Sequence, residues 1–230
     1  KRAVEDATYN AGPREVYLIE EPMAAAVGAR LPIQEAVANV IVDIGGGTTE
    51  VAVISMGGVI ASRSLMIAGD KLNEDIIRYL REERNLLIGE ATAEHLKITI
   101  GSAYPADEEE DGHVRGRDLV SGLPKEIVAT SEEIREAISR SVKSIVTAVR
   151  NTIEETPPEL TADLINRHIF VAGGGALLKG LDKLIARETK LFVKIVDDPL
   201  TAVVRGCGFV LENVDQLKSI LVATQKEDYI

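Results

Sequence analysis

The chain has 230 residues, 45% of them hydrophobic, enough to bury a sizeable core as one large α/β unit or two smaller domains. A formal net charge of -11 and a pI near 4.9 argue against affinity for nucleic acid or anionic lipid, which needs clustered Lys and Arg. The single Cys207 leaves no intrachain disulfide, three scattered histidines give no zinc spacing, and no stretch has the apolar length of a membrane span or signal peptide; the expectation is a cytoplasmic chain without a transmembrane segment.

The abrupt start at Lys1 implies chain before it, and Arg2 to Ala11 reads as the tail of a helix closed by Gly12 and Pro13. Val16 to Ile19 reads as a short strand. Glu21-Pro22 opens an alanine-rich helix reaching Gly28, with proline in the first turn where its missing N–H costs nothing. Leu31 to Ala38 is a polar linker. Asn39 to Ile44 is a β-branched, buried strand that Val51 to Ile54 resumes, and Gly45, Gly46 and Gly47 between them permit positive φ and close backbone approach. With no Cβ on three successive residues, N–H groups converge as a nest on one phosphate, and Thr48 and Thr49 add hydroxyl donors. Asp43 faces the same space. A carboxylate does not favourably touch phosphate, so its role is to hold the water shell of Mg2+ as the metal site residue. A tight hairpin with no ligand is the alternative. This is not a P-loop, since no Lys-Ser or Lys-Thr pair follows the glycines and a strand, not a helix, comes next.

Val59 to Ile67 supplies a third antiparallel strand after Gly57-Gly58. Asp70 caps a helix through Leu80 whose apolar residues recur at helical spacing, and Gly89 separates it from a second helix carrying Glu94 and Lys97, one turn apart on one face. Asp107 to Asp111 is a run of five carboxylates, read as a solvated tip with no metal site. His113 to Leu119 and Glu126 to Ala129 form a hairpin. Thr130 or Ser131 caps a long helix to Glu155, stopped by Pro157-Pro158. Leu160 to Asn166 is a short helix, His168 to Ala172 a buried strand entering Gly173-Gly174-Gly175-Ala176, and Leu191 to Val196 another strand. Asp198-Pro199 starts a helix in which Ala202, Gly206 and Gly208 permit close approach of a partner helix. Two triple glycines far apart, each after a hydrophobic strand, read as two walls of one nucleotide cleft.

A strand, glycine turn and strand with Asp ahead of it resembles the second phosphate loop of the actin, sugar-kinase and heat-shock-chaperone ATPase superfamily. The longer string, Glu20-Glu21-Pro22-Met23-Ala24-Ala25-Ala26 followed by Asp-Ile-Gly-Gly-Gly-Thr-Thr-Glu-Val-Ala-Val-Ile from Asp43, resembles MreB, the bacterial actin family that guides wall synthesis in rod-shaped cells. The likeness runs through almost the whole chain. It implies ATP and Mg2+ as cofactors. It implies that Glu21 orients the water attacking the γ-phosphate; from the residues alone Glu21 is equally a first-turn residue favoured by the helix dipole, and Thr48 or Glu20 is the next catalytic candidate. It implies that Glu94 accepts from ribose hydroxyls while Lys97 flanks adenine, a pair that alone reads as a surface ion pair. His95 departs from the Arg common there. The resemblance also makes Gly173 to Ala176 the adenosine loop, and the Ala202 to Gly208 helix the second interdomain connector.

The fold implied is α/β: a ribonuclease-H-like actin-type ATPase domain with an inserted small α/β subdomain. Residues 1–34 are then the end of the first ATPase half, 35–68 and 142–208 the second half, 69–141 the insertion, and 209–230 C-terminal helices packing back on the first half. The first half's own phosphate loop is missing from the chain, which puts the activity of this piece in question. The family's role is an ATP-binding, slowly hydrolysing filament former that determines rod shape. Its expected partners are further copies head to tail and the wall-elongation machinery with a RodZ-type adaptor, at the cytoplasmic membrane face. A chaperone or small-molecule kinase of the same superfamily is the competing reading; a chaperone needs a substrate-binding domain after Val222, where eight residues remain.

Overall fold

The computed structural model describes residues 2–106 and 108–222. In chain order the elements are α1 (Arg2–Tyr9), α2 (Glu21–Gly28), β1 (Asn39–Ile44), β2 (Thr49–Ser55), β3 (Gly58–Leu65), α3 (Gly69–Arg84), β4 (Leu86–Leu87), α4 (Glu90–Thr99), β5 (Asp111–Asp118) and β6 (Pro124–Thr130). There follow α5 (Ser131–Glu154), α6 (Pro158–Leu164), β7 (His168–Ala172), α7 (Leu181–Thr189), β8 (Phe192–Ile195), α8 (Ala202–Glu212) and α9 (Val214–Leu217).

Five strands form the main sheet in the order β3-β2-β1-β7-β8. The first three are an antiparallel meander, while β7 is parallel to β1 and β8 to β7. Every residue of β1 is buried, because the sheet is covered on both faces. Val40, Val42 and Ile44 enter one core with α3, α5 and α7, and Ile41 enters the other with α2 and α8. After β1 the chain turns to β2 on one side; after β7 it turns to β8 on the other. The crevice beyond the carboxyl ends of these two neighbours is therefore the topological switch point, where open α/β sheets collect ligands.

The second sheet, β4-β5-β6, is antiparallel and with α3 and α4 makes the insertion. Helix α5 joins the two parts. Its N-terminal portion pairs with α3 through Arg84–Glu133 and Ser141–Asp75, its end with β3 through Arg63–Glu155, and it crosses the expected 141/142 boundary unbroken. Thr130 rather than Ser131 is its cap: the Thr130 hydroxyl accepts from the Glu133 amide and the Glu133 carboxylate accepts from the Thr130 amide.

Several expectations are corrected. Val16 to Ile19 is not a strand, since its one β partner among the described residues is the single bridge Leu18–Val222. The 31–38 segment is not a polar linker: Leu31, Ile33 and Ala38 are buried, and the carbonyls of Ile33 and Glu35 accept from the Gly57 and Met56 amides. Asp70 is not the cap of α3. Ala68 holds that position, Asp70 is in the first turn, and the helix runs on to Arg84, where Asn85 at φ 50° ends it. The acidic run is more than a solvated tip. Glu109 bonds Ser131 and Arg135, and both oxygens of Glu110 accept from Lys179, whose amine also donates to the Thr99 carbonyl. Asp107, and the part of the expected C-terminal packing beyond 222, lie outside the described residues. Within them, Leu217 and Ile220 are buried in the α2–α8 core.

Candidate functional site

The hairpin between β1 and β2 pairs down to Ile44 and Thr49, and the Gly45 amide then donates to the Thr48 carbonyl at 2.9 Å. None of Gly45, Gly46 and Gly47 uses the positive φ that glycine permits. Nor is space what demands glycine at Gly46: a Cβ there would lie 3.4 Å from the Asp70 carboxylate, an ordinary contact. The hairpin is seated on the N-terminus of α3, whose Gly69 and Asp70 amides donate to the Gly45 and Gly46 carbonyls at 3.1 and 2.8 Å. A trans peptide plane sets its N–H opposite its C=O. With those two carbonyls turned towards α3, the N–H groups of Gly46 and Gly47 point away from it, and with the Thr48 amide they donate to no backbone group among the described residues. N–H groups arranged in this way are able to accept an anion. Thr48 flanks it half-buried. Thr49 does not: it is fully buried and its hydroxyl donates to the Ile67 carbonyl at 2.7 Å, so it anchors the hairpin and is removed from the phosphate donors.

Asp43 is 4% exposed, and its Oδ2 has no hydrogen-bond partner among the described residues. Burial pushes its carboxyl up to about 6, helped by the negative charges of Glu21 and Glu50. An orphaned, buried carboxylate among other acids is the donor set that a hydrated cation relieves, so the residues fit Mg2+. No cluster of three His, Cys, Asp or Glu side chains among the described residues is arranged to hold a metal directly. Glu21 stands exposed as the first residue of α2.

The second glycine loop closes over the first. Gly173 has φ +79°, and a Cβ there would lie 2.3 Å from the Ile44 carbonyl oxygen and 2.5 Å from Asp43 Oδ1. A Cβ on Gly175 would meet Ile44 Cγ2 at 2.2 Å. Gly174 to Leu177 is a single 3-10 turn in which Gly174 is exposed and the Ala176 side chain is buried, so Ala176 has only its backbone to offer a ligand. Across the crevice, Glu94 is exposed on α4. Lys97 is half-buried and donates to the Gly69 carbonyl at 3.0 Å, and burial lowers its pKa. Its amine therefore braces the base of the phosphate hairpin rather than standing free beside a base. Sequence reasoning passed over Glu50, the α3 N-terminus and the Lys179–Glu110 tie. Only Glu50 was visible in advance, as an acid next to the Thr48-Thr49 pair. A cavity of about 920 Å³ between residues 27–35 and α8 contains none of these groups.

A five-stranded sheet of this order, glycine loops meeting at its switch point and an α/β insertion after the meander define an actin-like protein. A family model described as MreB/Mbl protein matches residues 1–219. "Cell shape-determining protein MreB" of Escherichia coli strain K12 is 52% identical over 215 residues, covering 94% of this chain and 62% of that protein. "Cell shape-determining protein Mbl" of Bacillus subtilis strain 168 is 46% identical over 217 residues, covering 94% and 65%. Among solved structures, MreB5 of Spiroplasma citri, in crystals with ADP or AMPPNP, matches with a TM-score of 0.90 at 39% identity, over 94% of this chain and 65% of that one. The chain belongs to the MreB/Mbl family. It spans a little under two thirds of the length of these relatives.

Proposed function

We propose that the full-length protein binds ATP with Mg2+ in this crevice and polymerises into an actin-like filament that sets rod shape by organising wall synthesis. The observation that carries the nucleotide reading is the pairing of the outward N–H groups of Gly46 and Gly47 with the orphaned carboxylate of Asp43, on the same strand end. The amides of Gly46, Gly47 and Thr48 donate to phosphate oxygens. Asp43 accepts from the water around the cation, Gly173 to Ala176 present flat backbone to the adenosine, and Glu94 takes the ribose. Glu21, on the rigid first turn of α2, orients the attacking water, with Thr48 beside it. Held there, Mg2+ would neutralise charge building on the phosphate oxygens.

The same proposal extends to filament formation, slow turnover and location at the cytoplasmic membrane face with the elongation machinery and a RodZ-type adaptor; membership of the MreB/Mbl family is what supports it. Among the described residues no helix is long and apolar enough to cross a membrane. Pelleting and electron microscopy of the full-length protein with ATP and Mg2+ test the assembly reading. Filaments that need nucleotide support it; turnover without polymer at micromolar concentration marks a non-assembling ATPase of the same fold.

A further inference from the structure

Asp43, Glu50 and Ser64 form one rung across β1, β2 and β3, each the direct register partner of the next. Side chains of a directly opposed antiparallel pair share one face with Cβ atoms about 4.5–5.5 Å apart, and like charges in that position destabilise the sheet. Two carboxylates thus stand side by side at the strand ends that bound the crevice. Among the described residues neither has an ion-pair partner. Asp43 is buried with Oδ2 unpartnered, and Glu50 is half-buried with Oε1 accepting from the Ser64 hydroxyl at 2.7 Å. Ser64 holds the Glu50 carboxylate in one place but does nothing for its charge. A repulsive pair oriented by a hydroxyl is an arrangement awaiting positive charge.

We infer that Glu50 is a positioning residue for the divalent cation: held by Ser64 beside Asp43, it is the second carboxylate that receives the cation's water shell when nucleotide fills the crevice. The inference rests on the nucleotide reading above. It extends that reading from one acidic anchor to two, and it makes the strain of the empty rung the counterpart of cation affinity.

The test uses full-length protein with ATP and Mn2+ as the probe, free Mn2+ being read by electron paramagnetic resonance. Glu50→Gln keeps the side chain's size and an acceptor for Ser64 while removing the charge. It is expected to weaken Mn2+ binding roughly tenfold, the scale of one charge-assisted hydrogen bond. The same variant without ligand is expected to melt a few degrees higher than the parent, because the like-charge pair is gone. Ser64→Ala, which frees the carboxylate without discharging it, is expected to show a smaller loss of Mn2+ affinity. Glu50→Gln with unchanged Mn2+ affinity, beside an Asp43→Asn variant that loses it, overturns the inference and leaves the nucleotide reading standing. Unchanged affinity in both variants overturns the two together.

Discussion

Gly206 of α8 lies against Ala24 of α2 so closely that a Cβ on it would stand 1.8 Å from the Ala24 carbonyl oxygen; the reciprocal contact, Gly28 against the Ala202 carbonyl, is equally short. The two helices cross backbone to backbone, and this crossing fixes where α2 points Glu21. Gly208, two residues on, has open space around it.

The two glycines of α8 are therefore expected to respond with opposite signs. Gly206→Ala gains helix propensity yet destabilises by about 3 kcal/mol or more, since carbonyl and methyl cannot share the space. Gly208→Ala stabilises by about 0.5–1 kcal/mol through propensity alone. Denaturant unfolding of the two variants compares them directly, and equal effects would remove the close crossing.

Asp43 makes stability depend on pH in the ligand-free protein. Its folded pKa of about 6 lies above the usual carboxylate value of 3.8, so between those limits the folded state holds a proton that the unfolded state has lost. Stability from this group is complete below about 4 and disappears as pH rises through 6, a change on the order of 3 kcal/mol. Asp43→Asn should flatten that part of the profile, raise stability at pH 7 and abolish magnesium-dependent ATP turnover. Melting curves from pH 4 to 8 that superimpose for parent and variant contradict the assignment.

For Glu21, binding and chemistry should separate. A residue that orients water only at the transition state leaves ATP affinity nearly intact in Glu21→Ala while phosphate release falls, about a hundredfold for a lost general-base-type contact. Filaments of the variant, retaining triphosphate, should outlast those of the parent. Loss of ATP binding would instead make Glu21 a helix-start residue, and unchanged phosphate release would move the water to Thr48 or Glu20.

The adenosine side is tested by ligand truncation. Glu94→Ala and Gly174→Val, the latter crowding Leu200 where a Cβ already approaches to 3.2 Å, should weaken ATP several-fold and leave inorganic triphosphate binding unchanged. Calorimetric titration of both ligands decides it; equal losses would place the adenosine elsewhere.

Where the site could be read in advance, it could be read from neighbours in the chain. The β-branched run Val40 to Val42 in β1, the glycines that follow β1 and β7, the helix start at Thr130 or Ser131 and the stop at Pro157-Pro158 express local preferences: side-chain shape, missing Cβ atoms and caps acting over a few residues. Those preferences settle element type, the meander, and the assignment of Asp43 and both glycine loops to one cleft.

The partners of those elements needed the folded chain. Thr49 spends its hydroxyl on Ile67, Lys97 on Gly69, and Lys179 on Thr99 and Glu110, from 18 to 80 residues away. The glycine hairpin has its donors outward because Gly69 and Asp70 occupy its carbonyls, and none of its glycines uses the positive φ open to it. Gly28 and Gly206 are set by a crossing of helices 178 residues apart, whereas Gly208, the same residue type in the same helix, meets nothing. A side chain's local tendency is a property of its own backbone. What its polar atoms bond to, and whether a missing Cβ is required, depends on which distant group the tertiary packing brings within a few ångströms.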